Sequence, residues 1–390
     1  MEKATRGQTK DHNSRLVLKT IYDAGSVSRA EVARLTALTR PTVSALVAEL
    51  IEGGLVVETG QGPSAGGKPP TLVTLHGDGR RLLALDLSGG EFRGALVNLR
   101  GEIDRRVALP AAGLRGEAAL ARVYELADSL LPTPLPLLGI GVATPGLVAP
   151  RLGIVLRAVN LGWANLPLGD LLAARYGHPV HVANDSHMAA LAEYTFGVGR
   201  ETPHLITIRI GQGIGAGVIL DGRPFYGDGF GAGEIGHVVI DPAGELCSCG
   251  NRGCLETTSS TRAILRRAAE ADRSGSALAG DPPTWERFAA AVAARDPLAV
   301  EIAAAAGCHL GAAVAHLVGA YNVQTIVMAG RIADLGDTLL NAVRAEMRRR
   351  VLPAMADATT IRYTSLGDRA GDIIILGCSA LVLHRELGIV

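Results

Sequence analysis

The stretch from Gly233 to Glu256, GEIGHVVIDPAGELCSCGNRGCLE, constrains this chain more than any other. It places Cys247, Cys249 and Cys254 within eight positions and His237 ahead of them. Three thiolates and one imidazole complete a tetrahedral shell for Zn²⁺ of the structural Cys₃His type. Gly250 and Gly253 stand between the sulfurs, where a tight metal-binding turn needs positive φ or close backbone approach. The competing reading, three unrelated buried cysteines, leaves the glycine spacers without a purpose.

A chain of 390 residues, 48% hydrophobic and with 49 glycines, has room for two or three domains with a large core and many turns. Its formal net charge is zero, so no global field argues for nucleic acid or an acidic partner. Locally, all four lysines (Lys3, Lys10, Lys19 and Lys68) fall in the first 68 residues. Five cysteines, an odd number, do not form a secreted disulfide framework. Met1-Glu2-Lys3 opens no signal peptide, and no uninterrupted apolar run has membrane-spanning length, so the expectation is a cytoplasmic protein with no membrane partner.

The first 78 residues read as a separate module. Positions 13–24 carry an apolar stripe at Leu16, Val17, Ile21 and Ala24 that predicts a helix. Ser28-Arg29-Ala30-Glu31 is a capping box that opens a second helix through Leu35. Thr39 serves as N-cap of a third, with Pro41 in its first turn, an end near Glu52, and Val43, Leu46, Val47 and Leu50 on its buried face. LVVET and TLVTL then form two strands around the loop GQGPSAGGKPP. Three helices and a hairpin make a winged helix-turn-helix, whose third helix enters the major groove. The candidate DNA contacts are Ser28, Arg29, Thr39, Arg40, Thr42 and Ser44, with Lys68 in the wing loop reaching a phosphate or the minor groove. The alternative is a docking module, since winged helices also bind proteins.

From Arg80 onward the pattern changes to α/β. RLLALDLSGGEFRGALVNL is a strand ending at Asp86, a glycine turn and a returning strand, the opening of an actin-like nucleotide-binding fold. Residues 137–150 form a buried strand running into a Pro145-Gly146 turn. Residues 178–197 form a strand ending at Asn184-Asp185 and then a helix with Met188, Leu191 and Ala192 inward. Side chains at the carboxyl end of such a strand face the ligand crevice, where an Asp can take a proton from a hydroxyl; it can also simply cap the helix. Residues 204–222 repeat the strand–turn–strand plan around Gly211-Gln212-Gly213. Ala-rich helices follow, carrying Cys308 and His309 as helix core or surface, and 325–332 is a buried strand and turn. The tail from 371 to 387 reads as a final helix with an uncertain start at Ile373-Ile374-Ile375.

The pattern G-E-x-G-H followed by C-x-C-G-x-x-G-C-x-E resembles the signature of the ROK family of bacterial repressors, open reading frames and sugar kinases, and every position is met. The segment SRAEVARLTALTRPTVSALVAELIEGGLV is similar to the DNA-binding domain that the repressors carry and the kinases lack. The resemblance implies a two-lobed actin-like (ribonuclease H-like, sugar kinase) domain over 79–390: one lobe at about 79–190 plus a C-terminal helix at 371–390, the other at about 191–370. It implies zinc on His237, Cys247, Cys249 and Cys254. It also implies a monosaccharide held by Gly146, Asn160 in the Asn160-Leu161-Gly162-Trp163 loop, Asn184, Asp185, Glu234, His237 and Glu256. From the residues alone Asn160 is equally a turn-former. In the kinases Asp185 would be the catalytic base.

Three nucleotide-side positions depart from the kinase pattern. Gly90 and Glu91 stand where the kinases have a hydroxyl and a cation, Gln212 replaces a Thr, and Arg331 replaces a glycine, where its side chain could fill the adenosine space. A carboxylate beside a triphosphate costs affinity. The expectation is therefore a sugar-responsive transcriptional regulator, a repressor with structural zinc and no catalytic residue. It would act as a homodimer or dimer of dimers on a palindromic operator. An ATP-dependent hexose kinase that also binds DNA is the alternative.

Overall fold

The computed structural model describes residues 6–63, 69–271, 274–279 and 282–389. The chain opens with helix α1 (Arg6–Ala24), a short strand β1 (Val27–Ser28), and helices α2 (Arg29–Thr36) and α3 (Arg40–Glu52). Strands β2 (Val56–Gln61) and β3 (Thr71–Leu75) follow. Helix α1 starts well upstream of the stripe that predicted it. The capping box forms only by half: Ser28 Oγ accepts the Glu31 N–H at 3.2 Å, but the Glu31 carboxylate turns to Arg34 instead. Thr39 caps α3 as expected, accepting the Thr42 N–H, and Val43, Leu46, Val47 and Leu50 are buried. The wing is a three-stranded sheet in the order β1-β3-β2, since β1, too short to show a period, pairs Val27 with Val73. Lys68 lies outside the described residues.

Two compact units divide the chain, one of 1–185 with 378–390 and one of 186–377. The first contains the winged helix and the strands β4 (Arg81–Asp86), β5 (Glu91–Asn98), β6 (Ile103–Pro110), β7 (Leu137–Thr144), β8 (Leu147–Ala149), β9 (Ile154–Ala158), β10 (Trp163–Leu166) and β11 (Val180–Asn184). Its main sheet runs β11-β7-β4-β5-β6, with β5 antiparallel to both neighbours and β7 parallel to β4 and β11. Helices α4 (Gly116–Leu130) and α5 (Leu168–Tyr176) belong to this unit, and Leu85, Phe92, Val123, Leu126 and Val142 share its core. The winged helix is tied to this sheet by polar contacts: Arg80 donates to the Gly53 carbonyl at 2.7 Å and Arg100 to the Leu75 carbonyl at 3.0 Å.

Helix α6 (Asp185–Phe196) leads into the second unit, with Met188, Leu191 and Ala192 buried as the pattern required. Strands β12 (Leu205–Ile210), β13 (Ile214–Leu220), β14 (Arg223–Pro224), β15 (Thr325–Ala329) and β16 (Thr360–Tyr363) form a sheet in the order β14-β13-β12-β15-β16. The helices are α7 (Leu255–Ser259), α8 (Thr261–Glu270), α9 (Trp285–Ala293), α10 (Pro297–Tyr321), α11 (Gly336–Arg350) and α12 (Pro353–Ala358), while α13 (Ile373–Val382) starts in this unit and ends in the first. Helix α10 is long and apolar enough by mean hydropathy to cross a membrane, but Glu301, His309 and His316 interrupt its apolar run, and 61% of its apolar window is buried. It packs on α11, where Gly307 and Gly311 leave room for Ala342 and Glu346. The β-branched run at Ile373 is helical from its first residue, because all three isoleucines are buried and packing outweighs their modest helix propensity.

Candidate metal centre and ligand-binding residues

A single 3₁₀ turn, Ile235–His237, sets His237 at the mouth of a folded loop. The loop closes on itself through backbone bonds: Gly253 N–H to the Glu245 carbonyl at 2.7 Å, Cys247 N–H to Asn251 at 2.7 Å and Leu255 N–H to Val238 at 2.9 Å. Gly250 and Gly253 take φ of 98° and 68°, and a Cβ on Gly253 would overlap the Asp241 carbonyl. Positive φ is therefore found at both glycines and close backbone approach at Gly253. The folded loop brings one donor atom from each of His237, Cys247, Cys249 and Cys254 within 4.8 Å of the others.

The separations test what such a cluster fits. Cys249 Sγ and Cys254 Sγ lie 3.6 Å apart, and Cys247 Sγ lies 3.5 Å from His237 Nδ1. With metal bonds of about 2.3 Å to sulfur and about 2.0 Å to nitrogen, a tetrahedron has S–S edges of about 3.7 Å and S–N edges of about 3.5 Å. These two separations match that figure, and the others stay within 4.8 Å. Burial pushes the Cys254 thiol up to about 12, while an N–H from Asn251 lowers that of the exposed Cys249. A dication held by these four residues would reverse the effect of burial and keep all three sulfurs as thiolates. With Nδ1 turned to the sulfurs, His237 has only Nε2 left for any other ligand.

Glu256 follows the last cysteine in the first turn of α7. Its Oε2 accepts the Ile214 N–H at 3.2 Å, and its Oε1 lies 3.4 Å from Arg262. A Cβ on Gly213 would stand 2.6 Å from Oε2, so the second glycine of the β12–β13 turn is there to admit this carboxylate. Glu234, half-buried, precedes the 3₁₀ turn.

In the first unit, Asn184 ends β11 and donates from Nδ2 to the Gly146 carbonyl at 2.9 Å, which joins two of the candidate sugar residues. Asn184 and Asp185 are each 7% exposed, while Asn160 lies exposed in the β9–β10 turn. At the first glycine turn, Asp86 is 1% exposed and fully engaged. It accepts from the Ser88 N–H at 3.0 Å, the Ser88 hydroxyl at 2.6 Å and the Arg93 guanidinium at 2.5 Å. Arg93 was missed from the sequence, although the hairpin register pairs it directly with Asp86. Arg331 does not fill a cavity: it is exposed, paired with Glu286, and lies over the Trp285 ring at 6.0 Å.

Among the candidate DNA contacts, Ser28 is committed to its cap and Arg29 to Glu58 of β2 at 2.8 Å. The Thr39 and Thr42 hydroxyls lie 2.8 Å apart, and Arg40 and Ser44 are exposed one turn apart on α3.

Comparison with known proteins bears on both parts of the chain. The ROK family model matches residues 82–385, and the MarR family model matches residues 13–64. A xylose repressor of Caldicellulosiruptor bescii is 33% identical over 395 residues, covering 97% of each chain. A glucokinase of Halalkalibacterium halodurans is 32% identical over 320 residues, covering 79% of this chain and 96% of its own. The crystal structure of a ROK family transcriptional regulator, a homolog of the E. coli MLC protein, superposes with a TM-score of 0.83 at 29% identity and covers 97% of this chain and 99% of its own.

Proposed function

The chain belongs to the ROK family, and from that premise we propose that it is a sugar-responsive DNA-binding transcriptional regulator, a repressor of carbohydrate-metabolism genes. One observation carries this reading. Similarity to the repressor runs the length of the chain, whereas similarity to the glucokinase spans only 79% of it, and a MarR-type match covers 13–64. Residues 1–78 are the DNA-binding domain and 79–390 the sensing domain. Arg40, Thr42 and Ser44 of α3 read the operator, with Thr39, Ser28, Arg29 and Lys68 completing the contact.

The effector is a monosaccharide bound by Gly146, Asn160, Asn184, Asp185, Glu234, His237 and Glu256. Zinc on His237, Cys247, Cys249 and Cys254 is structural and fixes Glu234 and Glu256 on either side of it. The protein acts in the cytoplasm, where its DNA lies. As a homodimer or dimer of dimers it binds a palindromic operator with half-sites about one helical turn or a multiple apart. The sugar shifts DNA binding only by as much as it binds one state of the protein better than the other.

The regulator is not an enzyme. The engaged Asp86 and the carboxylate of Glu91 in the same turn support this, since neither favours a triphosphate. Titrating a labelled operator with the metal-loaded protein, with and without a panel of monosaccharides, tests the proposal. One sugar should change the operator Kd at least tenfold. No change with any sugar would reject the sensor reading.

A second reading, an ATP-dependent hexose kinase that also binds DNA, is favoured by Asp185, the first residue of α6 directly after β11. It predicts ADP release with a hexose, abolished in Asp185→Asn. The regulator reading predicts none.

A further inference from the structure

Helix α6 carries a buried imidazole in its first turn. His187 is 3% exposed, in a helix whose other buried residues include Met188, Ala190 and Leu191. A buried polar side chain costs free energy unless a hydrogen bond compensates it. Here the compensating bond leaves the helix: Nε2 lies 2.9 Å from the Ala232 carbonyl. Burial lowers the imidazole from 6.5 to about 4, so at neutral pH it is uncharged, and Nε2, facing a carbonyl, carries the proton.

Ala232 belongs to the segment 226–234, YGDGFGAGE, with glycine at 227, 229, 231 and 233. So many glycines leave the segment much conformational entropy to lose, and its geometry depends on anchors. Gly233 supplies one, at φ 93°: its carbonyl accepts the Ala216 N–H at 2.8 Å, and a Cβ there would overlap the Ala216 carbonyl. His187 supplies another and touches both ends of the segment. Its ring meets Tyr226 edge-on at 4.9 Å, and its Nε2–H holds Ala232, whose own N–H reaches back to the Tyr226 carbonyl at 3.1 Å. The anchor is itself fixed, since α6 sits directly on β13: a Cβ on Gly217 would overlap the Ser186 carbonyl. Glu234 follows Ala232 by two residues.

We propose that His187 is a positioning residue of the sugar response: it fixes the 226–234 segment so that the Glu234 carboxylate stands ready for a sugar hydroxyl. The proposal rests on Glu234 being a sugar contact, and His187 acts through that residue rather than on the ligand. The metal loop does not need it, because residues 237–255 close through their own backbone bonds and metal donors. Loss of the imidazole therefore loosens Glu234 and leaves the metal centre and the winged helix as they are. A sugar must then order the segment as it binds, and its affinity falls.

Calorimetric titration of the zinc-loaded full-length protein with aldohexoses, aldopentoses and N-acetylhexosamines tests this. In His187→Leu, and in His187→Asn, whose shorter amide cannot reach Ala232, affinity for the responding sugar should fall about tenfold. Zinc content and the operator Kd without sugar should not change. His187→Gln places an amide N–H near the position of Nε2 and should return the affinity to within about threefold of the parent protein. On a Glu234→Gln background His187→Leu should cost little more, because two changes that act through one group do not add. Unchanged affinity in the Leu and Asn variants overturns the proposal. So does a Gln variant no better than Asn, or a double variant in which the two losses add. Should His187→Leu lose its zinc or its fold, the contrast between Asn and Gln, both polar, decides alone. A parent protein that binds operator but none of these sugars removes the sensing reading itself, and the proposal with it.

Discussion

The first unit orders its sheet β11-β7-β4-β5-β6 and the second β16-β15-β12-β13-β14, and the strand senses correspond pair by pair. In each, a strand forms an antiparallel hairpin with the next, a third strand joins that hairpin, and later strands add in parallel. What differs is carried between the strands. The first unit keeps a short glycine turn after β4, whose acid is neutralised from across the hairpin by Arg93. The second unit spends the chain after β14 on a metal-type loop, and its own glycine turn, after β12, receives the carboxylate of Glu256. The same sheet plan thus serves different chemistry in its two copies, because function lives in loops grafted on a fold. Neither glycine turn presents a free cation or hydroxyl pattern suited to a nucleotide.

The largest expected effect would break the second copy. Cys254→Ser removes one of the four candidate metal donors, and structural zinc sites bind with an apparent free energy on the order of 10 kcal/mol. Zinc content should fall to near zero by elemental analysis, with loss of the sugar response. Full response in a metal-free protein would show that the loop needs no ion to place Glu234 and Glu256.

A pH titration of stability should also single out the second unit. His187, buried on α6, donates from Nε2 to the Ala232 carbonyl at 2.9 Å, and burial lowers it from 6.5 to about 4. Its folded value is depressed, so the unfolded chain binds more protons between those limits. Stability is then fully present above about 6.5 and is lost as the pH falls toward about 4, by about 3 kcal/mol in total. Denaturant midpoints across this range should flatten in His187→Gln, and an unchanged slope would contradict the assignment.

Arg93→Ala should cost about 1–2 kcal/mol, less than the roughly 3–5 of a fully buried pair because its side chain is 38% exposed. Adding Asp86→Asn should recover part of the loss in urea melts, since the orphaned charge is gone. If the double variant is worse than the single, the pair is not what steadies this turn. Smallest in stability is Arg40→Ala, which should leave the melting temperature and the sugar response in place while weakening operator binding about tenfold, or about 1.4 kcal/mol. Equal loss of both functions would mean that α3 is not the reading helix.

Much of the winged helix was legible, because its signals are local. Thr39, Pro41 and the spacing of Val43, Leu46, Val47 and Leu50 act within one helix. Strand β1 escaped notice, since two residues have no period and exist as a strand only through β3. The start of α13 escaped for a similar reason: three isoleucines favour strand until burial decides otherwise.

By itself, the sequence determined which residues gather in the metal loop, because His237, Cys247, Cys249 and Cys254 lie within one short segment with glycines where the backbone must turn left-handed. It also determined the strand–turn–strand plan of both units through hydrophobic runs and glycine turns. Only the tertiary structure decided how charges are spent. Arg93 against Asp86, Glu256 against the Ile214 N–H and Arg266 against Glu245 join residues that lie apart in the chain or on separate elements. Their partners are chosen by register and packing, and a side chain's charge in the sequence does not say which neighbour the fold will bring to it.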